Sequence, residues 1–115
     1  MFIKDLQEIE KKAMVVEGAK GAYKQVAIGP KEGWDGYVLR VMTLETAGNT
    51  PQHKHPWPHI NYVLSGLGTV AIDGKEYPVK EGTCAYIPAD SEHSFVNIGE
   101  SELKFICIVP EIGEF

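Results

Sequence analysis

The four histidines of this 115-residue chain fall in two short stretches, and their spacing is the clearest chemical signal in the sequence. They are His53, His55 and His59 in NTPQHKHPWPHINYVLSGLG, and His93 in GTCAYIPADSEHSFVN. In an extended segment alternate side chains share a face, so His53 and His55 point the same way, and His59 joins them if the two intervening prolines bend the chain. Imidazole is the commonest metal ligand. The pattern therefore predicts a metal site.

Length and charge limit what else the chain can do. A chain of 115 residues forms one domain with a sizeable core. The net charge of −5, with 11 scattered Lys and Arg residues, argues against nucleic acid as a partner. The N-terminus is charged and no apolar run approaches the length of a membrane span, so we expect a cytoplasmic protein without a membrane partner. Cys84 and Cys107 lack a metal or disulfide spacing and are expected to be reduced thiols.

Short strands separated by turn residues predict the fold class. They recur every eight to twelve residues, and no amphipathic helix appears after residue 12. Before that, Asp5 and Glu8 have the spacing of a capped helical turn. The predicted strands are Ala13–Val16, Ala22–Ile28, Tyr37–Leu44, Ile60–Ser65, Thr69–Ile72, Glu76–Val79, Cys84–Ile87, Ser94–Val96 and Leu103–Val109. Asp73-Gly74 is the strongest hairpin signal, and a turn is predicted at Ala47–Pro51. The pattern indicates an all-β sandwich or barrel.

The chain divides, within a single domain, into two parts. Residues 1–34 are expected to form an extension with strands that pack on the barrel or on a dimer partner, and residues 35–115 the barrel itself. The early strands have no obvious partner of their own, and we therefore expect a homodimer.

The two histidine stretches resemble the two motifs of the cupins, small β-barrels also called double-stranded β-helices. The first family motif, G-x5-H-x-H-x3,4-E-x6-G, is represented by His53, His55, His59 and Gly66. The second, G-x5-P-x-G-x2-H-x3-N, is represented by Gly82, Pro88, Asp90, His93 and Asn97. Three positions depart from the pattern, since Gly48 lies one residue too close to the first histidine, Asp90 replaces a glycine and His59 replaces the usual metal-binding glutamate.

The resemblance implies a jelly-roll barrel of the small, single-domain, conserved-barrel (cupin 2) type, preceded by a short N-terminal helical turn. It also implies a four-histidine metal site. The ligands would be His53, His55, His59 and His93, which together would bind one divalent transition metal ion per chain. Manganese or iron is favoured by the resemblance, and zinc, nickel or copper also suits nitrogen ligands.

Four neutral imidazoles would leave a divalent ion with its full charge of +2, which favours anionic or enolisable ligands. An octahedral ion would keep two open positions for substrate. We therefore expect a mononuclear metal-binding cupin that acts on a small oxygen-rich molecule by dioxygenase-like oxidoreductase chemistry. The alternatives are a metal-dependent isomerase or lyase of a sugar or polyol-derived acid, and a non-enzymatic metal- or metabolite-binding module.

Alternation along the strands predicts which side chains surround the metal. They are Asn61 and Val63 beside His59, Phe95 and Asn97 beside His93, and Phe105 and Cys107 on the last strand. Trp57 is expected at the rim of the pocket or at a dimer contact. Cys107 is expected to pack as a small apolar side chain or to act as a redox-sensitive group near the metal.

Overall fold

The computed structural model describes residues 1–114, which form nine β-strands and three single 3-10 turns. The strands are β1 (Lys12–Ala13), β2 (Lys20–Ile28), β3 (Tyr37–Asn49), β4 (His59–Ser65), β5 (Leu67–Ile72), β6 (Lys75–Lys80), β7 (Cys84–Ile87), β8 (His93–Asn97) and β9 (Leu103–Pro110). The turns are Leu6–Glu8, Pro30–Glu32 and Glu111–Glu114. Over these residues no helix is long and apolar enough to cross a membrane.

All strand pairs are antiparallel, and the strands form one curled sheet in the order β6-β5-β8-β3-β9-β4-β7, with β2 also pairing with β3. The long strand β3 makes the curl possible. Its first part pairs with β9, and after Ala47, whose φ is 64°, its end turns to pair with β8 at Asn49 and Val96. The predicted all-β jelly-roll barrel is confirmed.

Several local predictions can be compared with the strands. Asp73 and Gly74 have φ values of 49° and 82° and close the β5–β6 hairpin, as their residue types predict. The first predicted strand is wrong beyond Ala13, where β1 ends. The turn predicted at Ala47–Pro51 is also misplaced, because β3 continues to Asn49 with Ala47 as a single left-handed residue.

Alternating side chains from both halves of the sheet fill the barrel interior. The largest of those that are almost completely buried are Phe105, Leu44, Ile87, Leu103, Val63 and Val109. The rings of Phe95 and Phe105 stack with centroids 4.2 Å apart and join β8 to β9 across the barrel. Backbone segments also approach closely, since a Cβ at Gly66, where φ is 94°, would lie 2.5 Å from the Glu102 carbonyl oxygen. Only glycine fits at this crossing.

The N-terminal segment joins the sheet of its own chain through β2, whose Ala22 belongs to the hydrophobic core. Strand β2 pairs with β3 from Lys20 to Ile28. The buried Gln25 amide donates hydrogen bonds to the Leu6 and Ile9 carbonyl oxygens, at 2.9 and 3.0 Å, and holds the first 3-10 turn in place. Because β2 has a partner strand within the chain, the reason for expecting a homodimer is removed, and the dimer stays a prediction.

Candidate metal centre

Backbone pairing brings the two histidine stretches together. Beyond the end of β3 the chain continues beside β8, where Thr50 N–H donates to the Phe95 carbonyl at 3.0 Å. Three residues later, His53 and His93 exchange two backbone hydrogen bonds of 3.1 and 2.9 Å. Residues paired in this way carry their side chains on the same face. The strand register therefore sets these two imidazoles side by side, with ring centroids 4.8 Å apart.

The turn before β8 fixes the second histidine of the first stretch. Asp90 has a φ of 65°, the left-handed conformation that glycine adopts most easily, and its N–H donates to the His55 carbonyl at 2.8 Å. Aspartate is among the few other residues that tolerate this conformation. The replacement of the motif's glycine by Asp90 therefore preserves the turn, and the turn ties residue 55 to the end of the barrel.

Three imidazoles are close enough to share one ion. The ligand nitrogens of His53, His55 and His93 all lie within 4.8 Å of one another. Metal–nitrogen bonds of about 2.0–2.1 Å place neighbouring nitrogens about 3 Å apart around one ion. The three imidazoles would therefore have to move closer together by up to about 2 Å when they bind it.

Backbone carbonyls orient these three rings. The Nδ1 atoms contact carbonyl oxygens at 2.7 Å for His53 with Pro51, 2.9 Å for His93 with Ser91 and 3.3 Å for His55 with Trp57. A carbonyl oxygen can only accept, so each Nδ1 carries the proton and each Nε2 keeps its lone pair. Hydrogen bonding of the second ring nitrogen is the usual support of a metal-binding histidine. The rings are therefore prepared to bind through Nε2.

The fourth histidine lies at the edge of this cluster. The ring of His59 stacks on that of His55 with centroids 4.3 Å apart, and its centroid lies 6.4 Å from that of His53. The Nδ1 atom of His59 is 3.3 Å from the Cys107 sulfur. The Nε2 atoms of His59 and His93 are both buried and have no hydrogen-bond partner within residues 1–114. Buried polar atoms normally have partners. A metal ion held by the three clustered imidazoles would supply a partner for His93 Nε2, so these three residues fit such a group, whereas His59 lies outside the group of three.

Burial favours the neutral forms of His55, His59 and His93. It lowers the pKa of His59 to about 2, and repulsion from Arg40 and from any neighbouring imidazole that takes up a proton adds to the effect. Burial also lowers the pKa values of His55 and His93, against the opposing effect of their carbonyl partners. At neutral pH these rings therefore carry no proton on the nitrogen that would bind a metal.

A cavity of about 440 Å³ opens onto the histidines, and all four of them line it. Five of the seven side chains predicted to surround the metal are also in the lining, namely Trp57, Asn61, Phe95, Phe105 and Cys107. The lining does not include Val63 or Asn97. Val63 packs in the apolar core, and the Asn97 amide donates to three carbonyl oxygens, those of Leu44, Glu45 and Ser101.

Trp57 covers one side of the cluster. Its indole stacks on the His55 ring with centroids 4.7 Å apart and planes 7° from parallel. The C-terminal 3-10 turn also packs closely against the indole, since a Cβ at Gly113 would lie 2.6 Å from Trp57 Nε1. The sequence predicted a rim position for Trp57, but the contact with Gly113 joins residues far apart in the chain and had no local signal.

Arg40 is a buried polar wall residue that the sequence analysis missed. Its side chain is 8% exposed and lines the cavity, and one of its terminal nitrogens donates to the Cys107 sulfur at 2.9 Å. A signal was present, since Arg40 occupies an inward position between the apolar residues Val38 and Met42. An arginine on the buried face of a strand indicates a polar site.

The comparison with known families decides the classification. The family profile described as Cupin domain (Cupin_2) matches residues 40–109, which include both histidine stretches. The chain is a cupin. This match covers more than half of the chain, and the matched residues include all four histidines and the strands β4 to β8.

Individual relatives of this cupin differ in their reported roles. It is 39% identical over 56 residues to an uncharacterized protein, MJ1618, of Methanocaldococcus jannaschii, an alignment that covers 48% of this chain and only 45% of that protein. It is 27% identical over 97 residues to an oxalate-binding protein of Thermotoga maritima, covering 82% of this chain and 80% of that one. Among solved structures, the polyketide cyclase RemF of Streptomyces resistomycificus superposes with a TM-score of 0.89 and 27% identity, over 96% of this chain and 79% of that one.

Proposed function

We propose that this cupin holds one divalent transition metal ion through His53, His55 and His93, with His59 as a fourth ligand, and acts there on a small, oxygen-rich, enolisable anion. The observation that carries the proposal is the shared orientation of the imidazoles. Three have Nδ1 held by a carbonyl oxygen, and the buried Nε2 atoms of His59 and His93 have no partner in the described part of the chain.

A divalent ion at this position would supply Lewis acidity and, if it is iron or manganese, the capacity for one-electron chemistry with dioxygen. The protein's own contributions are positioning and exclusion of water. His53, His55 and His93 would hold the ion without adding negative charge. The apolar side chains of Phe95 and Phe105 would keep water away from the reacting end of the cavity.

Dioxygenase-like oxidation is the reaction that we propose first, with both oxygen atoms of O₂ entering the product. Iron or manganese is the proposed metal, and nitrogen ligands also suit zinc, nickel and copper. An anionic substrate is supported by the neutral ligand set, because the ion would keep its full positive charge. The likeness to an oxalate-binding protein also favours an oxygen-rich anion.

A second candidate is Lewis-acid chemistry without electron transfer, as in an isomerase, lyase or cyclase. The observation that favours it is the likeness to a polyketide cyclase over 96% of the chain. Cyclisation requires polarisation of a carbonyl group and no oxidant. In that case a redox-inert ion would support turnover as well as iron does.

Metal exchange distinguishes the two candidates. Protein loaded separately with iron(II), manganese(II) and zinc(II) would be given 1,3-dicarbonyl and 2-hydroxy-acid substrates under air and under nitrogen, with oxygen uptake and product mass measured. Oxygen uptake with iron or manganese, absent with zinc and absent in a His93→Gln variant, is the expected result. Equal turnover with zinc under nitrogen would contradict the oxidative proposal and favour the Lewis-acid candidate.

A further inference from the structure

Asn61 places an unpaired oxygen atom in the wall of the cavity. Among residues 1–114 it is the one amide side chain in the lining, and it is 3% exposed. Its Nδ2 atom donates to the Ile106 carbonyl oxygen at 3.2 Å, whereas Oδ1 has no partner in this part of the chain. Because a carbonyl oxygen can only accept, the bond to Ile106 identifies which end of the amide is the nitrogen. Asn61 therefore presents a buried acceptor that lacks a donor.

An unpaired buried acceptor destabilises the folded state, so an asparagine at this position needs an explanation. The next inward residue of β4 is Val63, and Phe105 lies opposite Val63 in the strand register. An apolar side chain of similar size at position 61 would extend this apolar surface and avoid the unpaired atom. The asparagine is explained if a ligand in the cavity supplies the missing donor.

Other unpaired buried atoms near the cavity have different surroundings. The Nε2 atoms of His59 and His93 belong to the proposed metal site, where an ion would take up their lone pairs. Trp57 Nε1 lies against the C-terminal turn, as the close approach of Gly113 shows. The Oδ1 atom of Asn61 has neither kind of neighbour to account for it.

Strand geometry places Asn61 one step deeper in the barrel than His59. The two side chains share the inner face of β4, and two residues of a strand span about 6.6–6.8 Å. In the register Asn61 lies opposite Cys107, and the next inward residue of β9 is Phe105, whose ring stacks on Phe95. The acceptor consequently lies between the imidazoles and the stacked phenylalanine rings, at the inner end of the cavity.

We propose that Asn61 is a specificity-determining residue and that its Oδ1 atom accepts a hydrogen bond from a hydroxyl group of the ligand. A neutral donor fits this depth, because an unpaired charge is costly to bury. A ligand that placed an ether, a fluorine or a methyl group here would leave the acceptor unpaired and would bind more weakly. The inference rests on the proposed function only in taking a small molecule as the occupant of the cavity, and it requires no metal ion.

NMR titration of metal-free protein with phenol and fluorobenzene tests the acceptor. The probes are similar in size, and only phenol carries a donor. We expect phenol to bind more tightly to wild type, with shifts of the Phe95 and Phe105 backbone amides placing it in the cavity. Asn61→Leu should lower the ratio of the two affinities by at least about tenfold, because phenol then loses its acceptor. An unchanged ratio, or wild-type protein that does not bind phenol in the cavity, would overturn the proposal.

The side-chain carbonyl carbon of Asn61 gives a direct readout in wild type, which remains available if Asn61→Leu does not fold. Its resonance should shift when phenol binds and change much less with fluorobenzene. The same carbon of Asn97 is the internal control, because that amide is engaged with backbone groups and does not line the cavity. Bound phenol that leaves the Asn61 resonance unchanged would contradict the proposed hydrogen bond.

Asn61→Asp separates ligand binding from a structural role. It keeps an oxygen acceptor at the same position and should retain most of the preference for phenol. If Asn61 served only to join β4 to β9 through Ile106, the Asp and Leu variants would lower the preference equally, and that result would contradict the proposal. A preference lost in His59→Leu and kept in Asn61→Leu would assign the hydroxyl group to the imidazole and overturn it as well.

The same titrations keep this inference distinct from the metal site. Because they use metal-free protein, a phenol preference that depends on Asn61 would support the acceptor role even if the protein bound no metal. Normal metal binding together with equal affinities for phenol and fluorobenzene would leave the metal site intact and overturn the role of Asn61. The two proposals therefore fail separately.

Discussion

The two ends of the barrel interior are built by the same strands and differ in how well their buried polar atoms are paired. Along successive inward positions the side chains change from polar to apolar, as in His59, Asn61 and Val63 of β4, Arg40, Met42 and Leu44 of β3, and Cys107, Phe105 and Leu103 of β9. At the closed end the one buried asparagine, Asn97, is fully engaged with backbone groups. At the histidine end His59 Nε2, His93 Nε2 and Asn61 Oδ1 have no partner within the described residues.

This difference shows that strand register decides where a side chain points, while residue type decides whether that position stabilises the fold or serves a ligand. Unpaired buried polar atoms cost about 1–3 kcal/mol each. Burial of the apolar side chains at the closed end stabilises the fold and offsets the free energy lost at the unpaired polar atoms of the histidine end. Substitutions at the closed end should therefore lower stability and leave ligand binding largely unchanged. Substitutions at the histidine end should lower ligand binding and have less effect on stability.

The largest effect on stability is expected at the closed end. Leu44 is completely buried, and Leu44→Ala should lower the free energy of unfolding by about 2–5 kcal/mol. Denaturant unfolding measures this loss. The metal affinity of the folded fraction should stay within about threefold of wild type. A loss of metal binding in folded Leu44→Ala would contradict the claim that the closed end contributes to stability and not to metal binding.

The largest effect on metal binding is expected at the other end. Loss of a partner outside the ligand set already costs about 10–100-fold in affinity. His93→Gln removes a ligand and should weaken metal binding by more than about 100-fold, measured by competition with a chelator. Its metal-free form should unfold with a free energy closer to wild type than that of Leu44→Ala. An unchanged metal affinity would exclude His93 as a ligand.

A pH titration of stability sharpens the same comparison. The pKa of His59 falls from 6.5 to about 2 on folding, so below pH 6.5 the unfolded chain binds a proton that the folded chain does not. Stability must then decrease as the pH falls, by about 2 kcal/mol at pH 5 from this residue alone. Denaturant unfolding of metal-free protein at pH 7 and pH 5 should show the loss, and His59→Leu should reduce it. An equal loss in His59→Leu would contradict the assignment.

A smaller effect is expected at the sulfur atom that contacts His59 Nδ1. Cys107→Ala removes this contact and should weaken metal binding by about tenfold, within the range for groups that orient a ligand. Cys84→Ala is the matched control, because Cys84 is exposed on the outer face. Chelator competition compares the two variants. Equal affinities for both would show that His59 does not depend on Cys107, and would weaken the case for a fourth ligand.

The smallest effect on stability and on metal binding is expected from substitutions on the outer surface, where the property at issue is dimer formation. We propose that two copies pair through the outer face of β4 and β7, where Ile60 and Tyr86 are 48% and 64% exposed and lie opposite each other in the register. Light scattering should give twice the chain mass of 12.7 kDa. Tyr86→Lys should shift the mass toward the monomer, and Tyr77→Lys on β6 should not. A monomeric wild-type protein would contradict the pairing.

Alternation along single strands was enough to predict the inward positions of His59, Asn61, Phe95, Phe105 and Cys107, because a strand has only two faces. Features that depend on distant segments could not be predicted in this way. The contact of Gly113 with Trp57 joins the C-terminal turn to the first histidine stretch. The predicted strand at Ala13–Val16 fails because Met14 and Val16 line the cavity instead of extending β1.

The most direct test of the metal site is the metal content of protein purified without a histidine tag and without added metal. Mass spectrometry of wild type should give close to one transition-metal ion per chain, and the His53→Gln/His93→Gln double variant should give almost none. Folded wild-type protein that contains no metal, and binds none when offered iron, manganese or zinc, would contradict the assignment of these histidines.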